Sequence, residues 1–104
     1  MDKNNDMKRR IFNEYASRIT KVFDITEDSL FSKSKHKDIV HARYMLHYLC
    51  FKRPMNINTI MEYMSDSGYP MSYSNIQYGI NEMKKRIRRD KDYSAAYKKI
   101  KEEV

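Results

Sequence analysis

The sequence is short of several residue types at once: one cysteine, no tryptophan, two glycines and two prolines in 104 residues. A lone Cys50 cannot close an intramolecular disulfide, so a stapled secreted scaffold is not expected and a reducing, cytoplasmic setting is. Two glycines leave no Gly-rich loop to cradle a nucleotide phosphate, and so few turn formers argue against a hairpin-rich β fold. No apolar run approaches the length of a membrane span, and a charged start replaces the apolar core of a signal peptide. Neither an acid pair nor a nucleophile with a base stands out, so no enzyme activity and no cofactor are expected. His47 and Cys50, three apart on one expected helix, supply two metal ligands where a structural zinc site needs four. No metal is expected either.

What the chain does have is positive charge, and it is segregated. The net charge is +7. Lys33, Lys35, Lys37 and Arg43 against Asp38 contribute +3, and Lys84, Lys85, Arg86, Arg88, Arg89 and Lys91 against Asp90 contribute +5, leaving −1 for the rest. An ordinary solvated surface intersperses the two signs, whereas two basic segments separated by a helical pair have the form of a polyanion footprint.

Apolar periodicity predicts an all-α domain of five or six helices with one modest core. Residues 1–6 are polar and expected to fray. Met7, Ile11, Tyr15 and Val22, flanked by Phe12, Ile19 and Phe23, predict a first helix over 7–23. Thr26 is placed to cap a short second helix through Phe31, with Glu27 and Asp28 at its positive end. A third helix over 38–52 would start at Asp38, bury Ile39, Ala42, Leu46, Leu49 and Cys50, point Arg43 outward, and stop before Pro54. His41 would be partly exposed. Asn56 would cap a fourth helix carrying Ile57, Ile60, Met61 and Met64. After the turn 65–70, Ser72 would cap a fifth with Ile76, Ile80, Met83 and Ile87 inside. Asp92 would cap a last helix on which Tyr93, Ala96, Tyr97 and Ile100 form a weak stripe.

The segment Ser32-Lys33-Ser34-Lys35-His36-Lys37-Asp38-Ile39-Val40-His41-Ala42-Arg43 is a flexible-looking basic run leading directly into a helix. It resembles the Ser-Lys-x-x-x-x-x-Ile-Val-x-x-Arg loop in the C-terminal DNA-binding domain (domain IV) of the bacterial chromosomal replication initiator DnaA. The similarity spans about 19–83 and takes in Phe23-Asp24-Ile25 and Asp28-Ser29-Leu30. It implies a Trp-repressor-like fold with a helix-turn-helix over 56–90, followed by a C-terminal helix over 91–104. The family's Gly-Gly-Arg-Asp-His-Ser/Thr-Thr-Val hallmark is matched only by Pro70-Met71-Ser72-Tyr73-Ser74-Asn75-Ile76. Met71, Ser72 and Tyr73 stand where the family has its base-reading Arg, Asp and His, after a turn about three residues longer. The resemblance does not extend to the initiator's ATP-binding portion.

In a helix-turn-helix the first turns of the second helix enter the major groove. That nominates Tyr73, Asn75, Gln77 and Tyr78 as base readers, Asn75 and Gln77 having the donor and acceptor pair that matches adenine. Backbone contacts would come from Lys33, Lys35, His36, Lys37 and Arg43, from Ser72 and Ser74 at a helix N-terminus, and from Lys84 and Arg88, with Lys91 on their face. The partner expected is double-stranded DNA, bound by a monomer or weak oligomer acting in replication initiation or regulation for a phage or mobile element. A different class stays open: an interaction or virion protein that keeps the initiator-like frame, meets a protein partner in the replication machinery or virion, and has lost base recognition. In a viral setting the place would be the host cytoplasm or the virion. RNA ranks third, since a major-groove helix has little use on an A-form duplex.

Overall fold

Helices start where a side chain can replace the missing partner of the first amides, and the computed structural model, which describes residues 3–102, follows that rule closely. Among the described residues the regular elements are six helices: α1 (Lys3–Phe23), α2 (Glu27–Leu30), α3 (Lys37–Lys52), α4 (Ile57–Asp66), α5 (Tyr73–Arg89) and α6 (Lys91–Lys101). The side-chain oxygens of Thr26, Asn56 and Ser72 accept from the amides of Ser29, Thr59 and Asn75 at 3.1, 2.8 and 3.1 Å. These are the three caps expected from the sequence.

Two other starts differ. α3 begins at Lys37 and is capped by His36, whose Nδ1 accepts from the Asp38 amide at 3.4 Å, so the helix starts one residue before Asp38, the residue expected to open it. α6 is capped by Asp90, whose carboxylate accepts from the Asp92 amide at 2.9 Å, and Asp92 becomes a first-turn acid favoured by the helix dipole. Asp90 also donates its own amide to the Arg86 carbonyl at 2.9 Å, so one extended residue both ends α5 and begins α6. Of the tail expected to fray over 1–6, residues 1 and 2 lie outside the described residues, and α1 is already helical from Lys3. The expected C-terminal helix likewise has residues 103–104 outside the described range.

Two helices end in the left-handed turn that lets a carbonyl be satisfied from beyond the end. Asp24 at φ 55° closes α1, with the Ile25 amide on the Thr20 carbonyl at 3.0 Å. Gly68 at φ 100° closes α4, with the Tyr69 amide on the Met64 carbonyl at 3.0 Å.

α3 is the central helix and packs chiefly on α5 and α1. Ala42, Met45, Leu46, Leu49 and Cys50 are buried on it, against Phe12, Tyr15 and Ile19 of α1, Ile76, Ile80 and Met83 of α5, and Ile60 and Met64 of α4. Met7, expected on the inner stripe of α1, is exposed, so the buried stripe starts at Ile11 and Phe12. Arg18 of α1 donates to the Ile100 carbonyl at 3.0 Å and to the Glu102 carbonyl, fastening the end of α6 to α1. No helix among the described residues is long and apolar enough to cross a membrane.

His47 lies fully inside this core, and neither ring nitrogen has a hydrogen-bond partner among the described residues. Burial, with Arg43 nearby, pushes its pKa down to about 3. Burial and then the charges of Arg86 and Lys37 also lower His41. An unfolded chain takes up these protons near pH 6.5, while the folded one refuses the proton of His47 until about pH 3 and holds that of His41 below its ordinary range. Stability should therefore be full above pH 6.5 and fall as the pH drops from there toward 3. Replacing His47 with Leu removes the unsatisfied nitrogens and should raise stability by about 1–3 kcal/mol at pH 7 while flattening the acid slope. Urea unfolding of both proteins from pH 7 to 4 measures this. A destabilised His47→Leu protein with the wild-type acid slope would contradict it.

Candidate nucleic-acid interface

The alternation Ser32-Lys33-Ser34-Lys35-His36-Lys37 is a structural device. Ser32 Oγ donates to the Ser29 carbonyl at 2.7 Å and accepts from the Ser34 amide at 3.3 Å, and Ser34 Oγ accepts from the His36 amide at 3.2 Å. His36 then caps α3. Short hydroxyl side chains bonding their own backbone two residues on hold the chain in successive turns. Every second residue is thereby committed to the backbone, and Lys33, Lys35 and Lys37 between them are all exposed. The basic segment, read from sequence as flexible, is bonded at each step.

Arg43 corrects the sequence reading most. Expected to point outward to a phosphate, it is buried at 4% exposure. Its Nε donates to the Leu30 carbonyl at 3.0 Å and its Nη2 to the Ser32 carbonyl at 2.8 Å, while the guanidinium lies 4.6 Å above the ring of Tyr69. One side chain on α3 thus ties the end of α2 and the basic loop to the turn that leads into α5. No carboxylate among the described residues pairs with it, and burial lowers its pKa from the ordinary arginine value. A planar fork suits this position because it satisfies two carbonyls and covers a ring at once.

On α5 the buried residues are Ile76, Gly79, Ile80 and Met83, which leaves Tyr73, Ser74, Asn75, Gln77 and Tyr78 exposed on its opening turns. Ser72 Oγ is engaged as cap by the Asn75 amide. Between this helix start and the basic loop lies a cleft of about 220 Å³, to which Lys33, Lys35, Asn75 and Tyr78 all contribute. Five of the residues nominated from sequence therefore converge, the fifth being Arg43, which lines the cleft from its buried position. Tyr44, Tyr69 and Met71 also line it and were not nominated. The available signal was Gly79: a glycine inside a helix costs about 1 kcal/mol relative to alanine, and needs a reason. A Cβ there would fall 2.4 Å from Tyr44 Cδ1, so the glycine lets the Tyr44 ring lie directly on the α5 backbone. Tyr78 meets that ring edge-on, with centroids 6.1 Å apart.

The remaining nominees stand apart from the cleft. Tyr73 and Gln77 are exposed on α5 without lining it, and Lys84 and Arg88 are found toward the far end of the same helix. Lys91, expected to share their face, opens α6 beyond the break at Asp90. Arg86 lies over the Tyr93 ring at 5.2 Å. His41, expected to be partly exposed, is buried and shares a 2.8 Å hydrogen bond between its Nδ1 and Tyr93 Oη. That bond joins the start of α3 to α6.

A role for Arg43 inside the fold predicts a specific variant phenotype. Lysine keeps the charge but cannot span both carbonyls, so Arg43→Lys should lose about 2 kcal/mol of stability, the scale of hydrogen bonds from a charged donor. Amide exchange at residues 32–36 should accelerate with it. Unchanged stability and exchange, with DNA binding alone reduced, would return Arg43 to the surface role read from sequence.

The chain was also compared with known proteins: no protein-family model, no curated protein and no solved structure matches it.

Proposed function

We propose that this protein binds double-stranded DNA, setting the opening turns of α5 in the major groove while the lysines of loop 32–37 neutralise the adjacent backbone. The observation that carries this reading is the convergence of Lys33 and Lys35 with Asn75 and Tyr78 on one cleft. A backbone grip beside a helix start with exposed amide side chains is the arrangement that positions a reading helix on a duplex. On this reading α4, the turn and α5 act as a helix-turn-helix of the initiator type. Arg43 serves as the fastener of the basic loop rather than as a phosphate ligand.

Lysines at the loop favour charge neutralisation over the reading of a narrow groove. Replacing Lys33, Lys35 and Lys37 together by Ala should flatten the dependence of binding on salt by about 0.9 for each phosphate that is no longer neutralised. Equal slopes for the two proteins would make the loop a solvated surface.

Specificity, on this proposal, rests on Asn75 and Gln77, because the residues at the family's reading positions are Met71, Ser72 and Tyr73. Gln77→Ala should cost about 1–3 kcal/mol on a site selected from a random pool and much less on random duplex. Equal losses on both DNAs would reassign Gln77 to backbone contact.

A second reading has its own observation. Tyr73 and Tyr78 are 46% and 58% exposed, and tyrosine is enriched among the residues that anchor protein interfaces. A protein that keeps the initiator-like frame for a protein partner would yield no preferred site from the random pool and would bind duplex only weakly at physiological salt.

A further inference from the structure

We propose that the cleft between loop 32–37 and the start of α5 receives one unpaired base of DNA, stacked on Tyr78 and edge-on to Tyr44. The inference rests on the DNA-binding reading and specifies what occupies its central cleft.

The size of the cleft sets the scale of the occupant. At about 220 Å³ the cleft is smaller than the roughly 300–1,000 Å³ typical of whole small-molecule ligands, and it fits a single base carried on a longer strand. The composition sets its chemistry. Lys33 and Lys35 supply positive charge and Asn75 an amide that both donates and accepts, while Tyr44, Tyr78 and Met71 supply ring and thioether surface. A phosphate alone would use the lysines and leave the rings idle. A nucleotide uses all of them: phosphates on the lysines, a base face on a ring, a base edge on the amide.

Within a paired duplex each base face is covered by its stacked neighbours, so only a base out of the stack offers a face to a tyrosine. A cationic track beside aromatic platforms is the general device for such bases, and it tolerates sequence because every base has a π face. The helix gives up stability to build this platform. Gly79 admits the Tyr44 ring to where a Cβ would sit, Tyr78 stands edge-on to it, and Tyr78 is 58% exposed. Tyr69 is already covered by Arg43 on one face, which makes it part of the frame.

The test is fluorescence anisotropy of the full chain with three labelled DNAs: a paired duplex, the same duplex with a single-thymine bulge, and the same duplex with an abasic bulge. The thymine bulge should bind about tenfold more tightly than either of the others, the abasic bulge controlling for duplex flexibility. In Tyr78→Ala the ratio of bulged to paired affinity should fall to near one, and in Phe51→Ala, an exposed ring on α3 outside the cleft, it should persist. Circular dichroism of each variant confirms its fold. Equal binding of thymine and abasic bulges, or a ratio unmoved by Tyr78→Ala, overturns the inference while leaving duplex binding intact. Failure to bind any of the three DNAs overturns the DNA-binding reading together with it.

Discussion

A buried guanidinium governs this structure. Arg43 is surrounded by carbonyl oxygens and a ring rather than by a carboxylate, and each contact lies on a different segment: Leu30 ends α2, Ser32 opens the basic loop, and Tyr69 sits in the turn before α5. Burying a cation is costly unless its donors are satisfied, and removing its partners leaves the cost without compensation. The three segments are therefore held in one relative position by a shared electrostatic requirement. The row of serine hydroxyls then propagates that position along the loop to the start of α3. Lysines that would otherwise sample many conformations begin from a backbone fixed beside α5, which lowers the entropy lost on gripping a ligand.

The same central helix explains what was legible in the sequence and what was not. Helices on the outside of the domain, such as α4 and α5, have one buried stripe, and their N-caps and most of their inner residues follow from the pattern alone, buried Tyr63 on α4 and Gly79 on α5 being the ones it omits. α3 is enclosed on several sides: Met45 and His47 are as buried as Leu46 and Leu49, and His41 and Arg43 join them. A helix surrounded in this way has no single outward face, so charge is a poor guide to exposure, and a solvent-facing Arg43 is what charge alone suggests. The capping differences have a smaller cause. Asp90 and Asp92 are both sound caps, and only the backbone break at Asp90 decides between them. Met7 follows the helical period but lies one turn beyond the neighbours that would cover it.

The candidate site was legible where it depends on residue type and obscure where it depends on approach. Lysines, serines and amides announce themselves, and their nomination needs only charge and hydrogen-bonding chemistry. That Lys33 and Lys35 share a cleft with Asn75 and Tyr78, which lie far along the chain, depends on how α3 crosses α5. The crossing is close because Gly79 removes the one side chain that would hold Tyr44 away. The basic residues at the end of α5 are a different case: they spread over a helix end, a break and a new helix, where positive charge also complements the α5 dipole.

Coupling between the basic loop and the start of α5 is the central claim, and chemical-shift mapping by NMR during titration with a short DNA duplex tests it most directly. Shifts should appear together, at one DNA concentration dependence, for residues 32–37 and 72–78, with α1 and α2 unaffected. Shifts confined to α1 and α6, or loop and α5 responding with separate dependences, would contradict it.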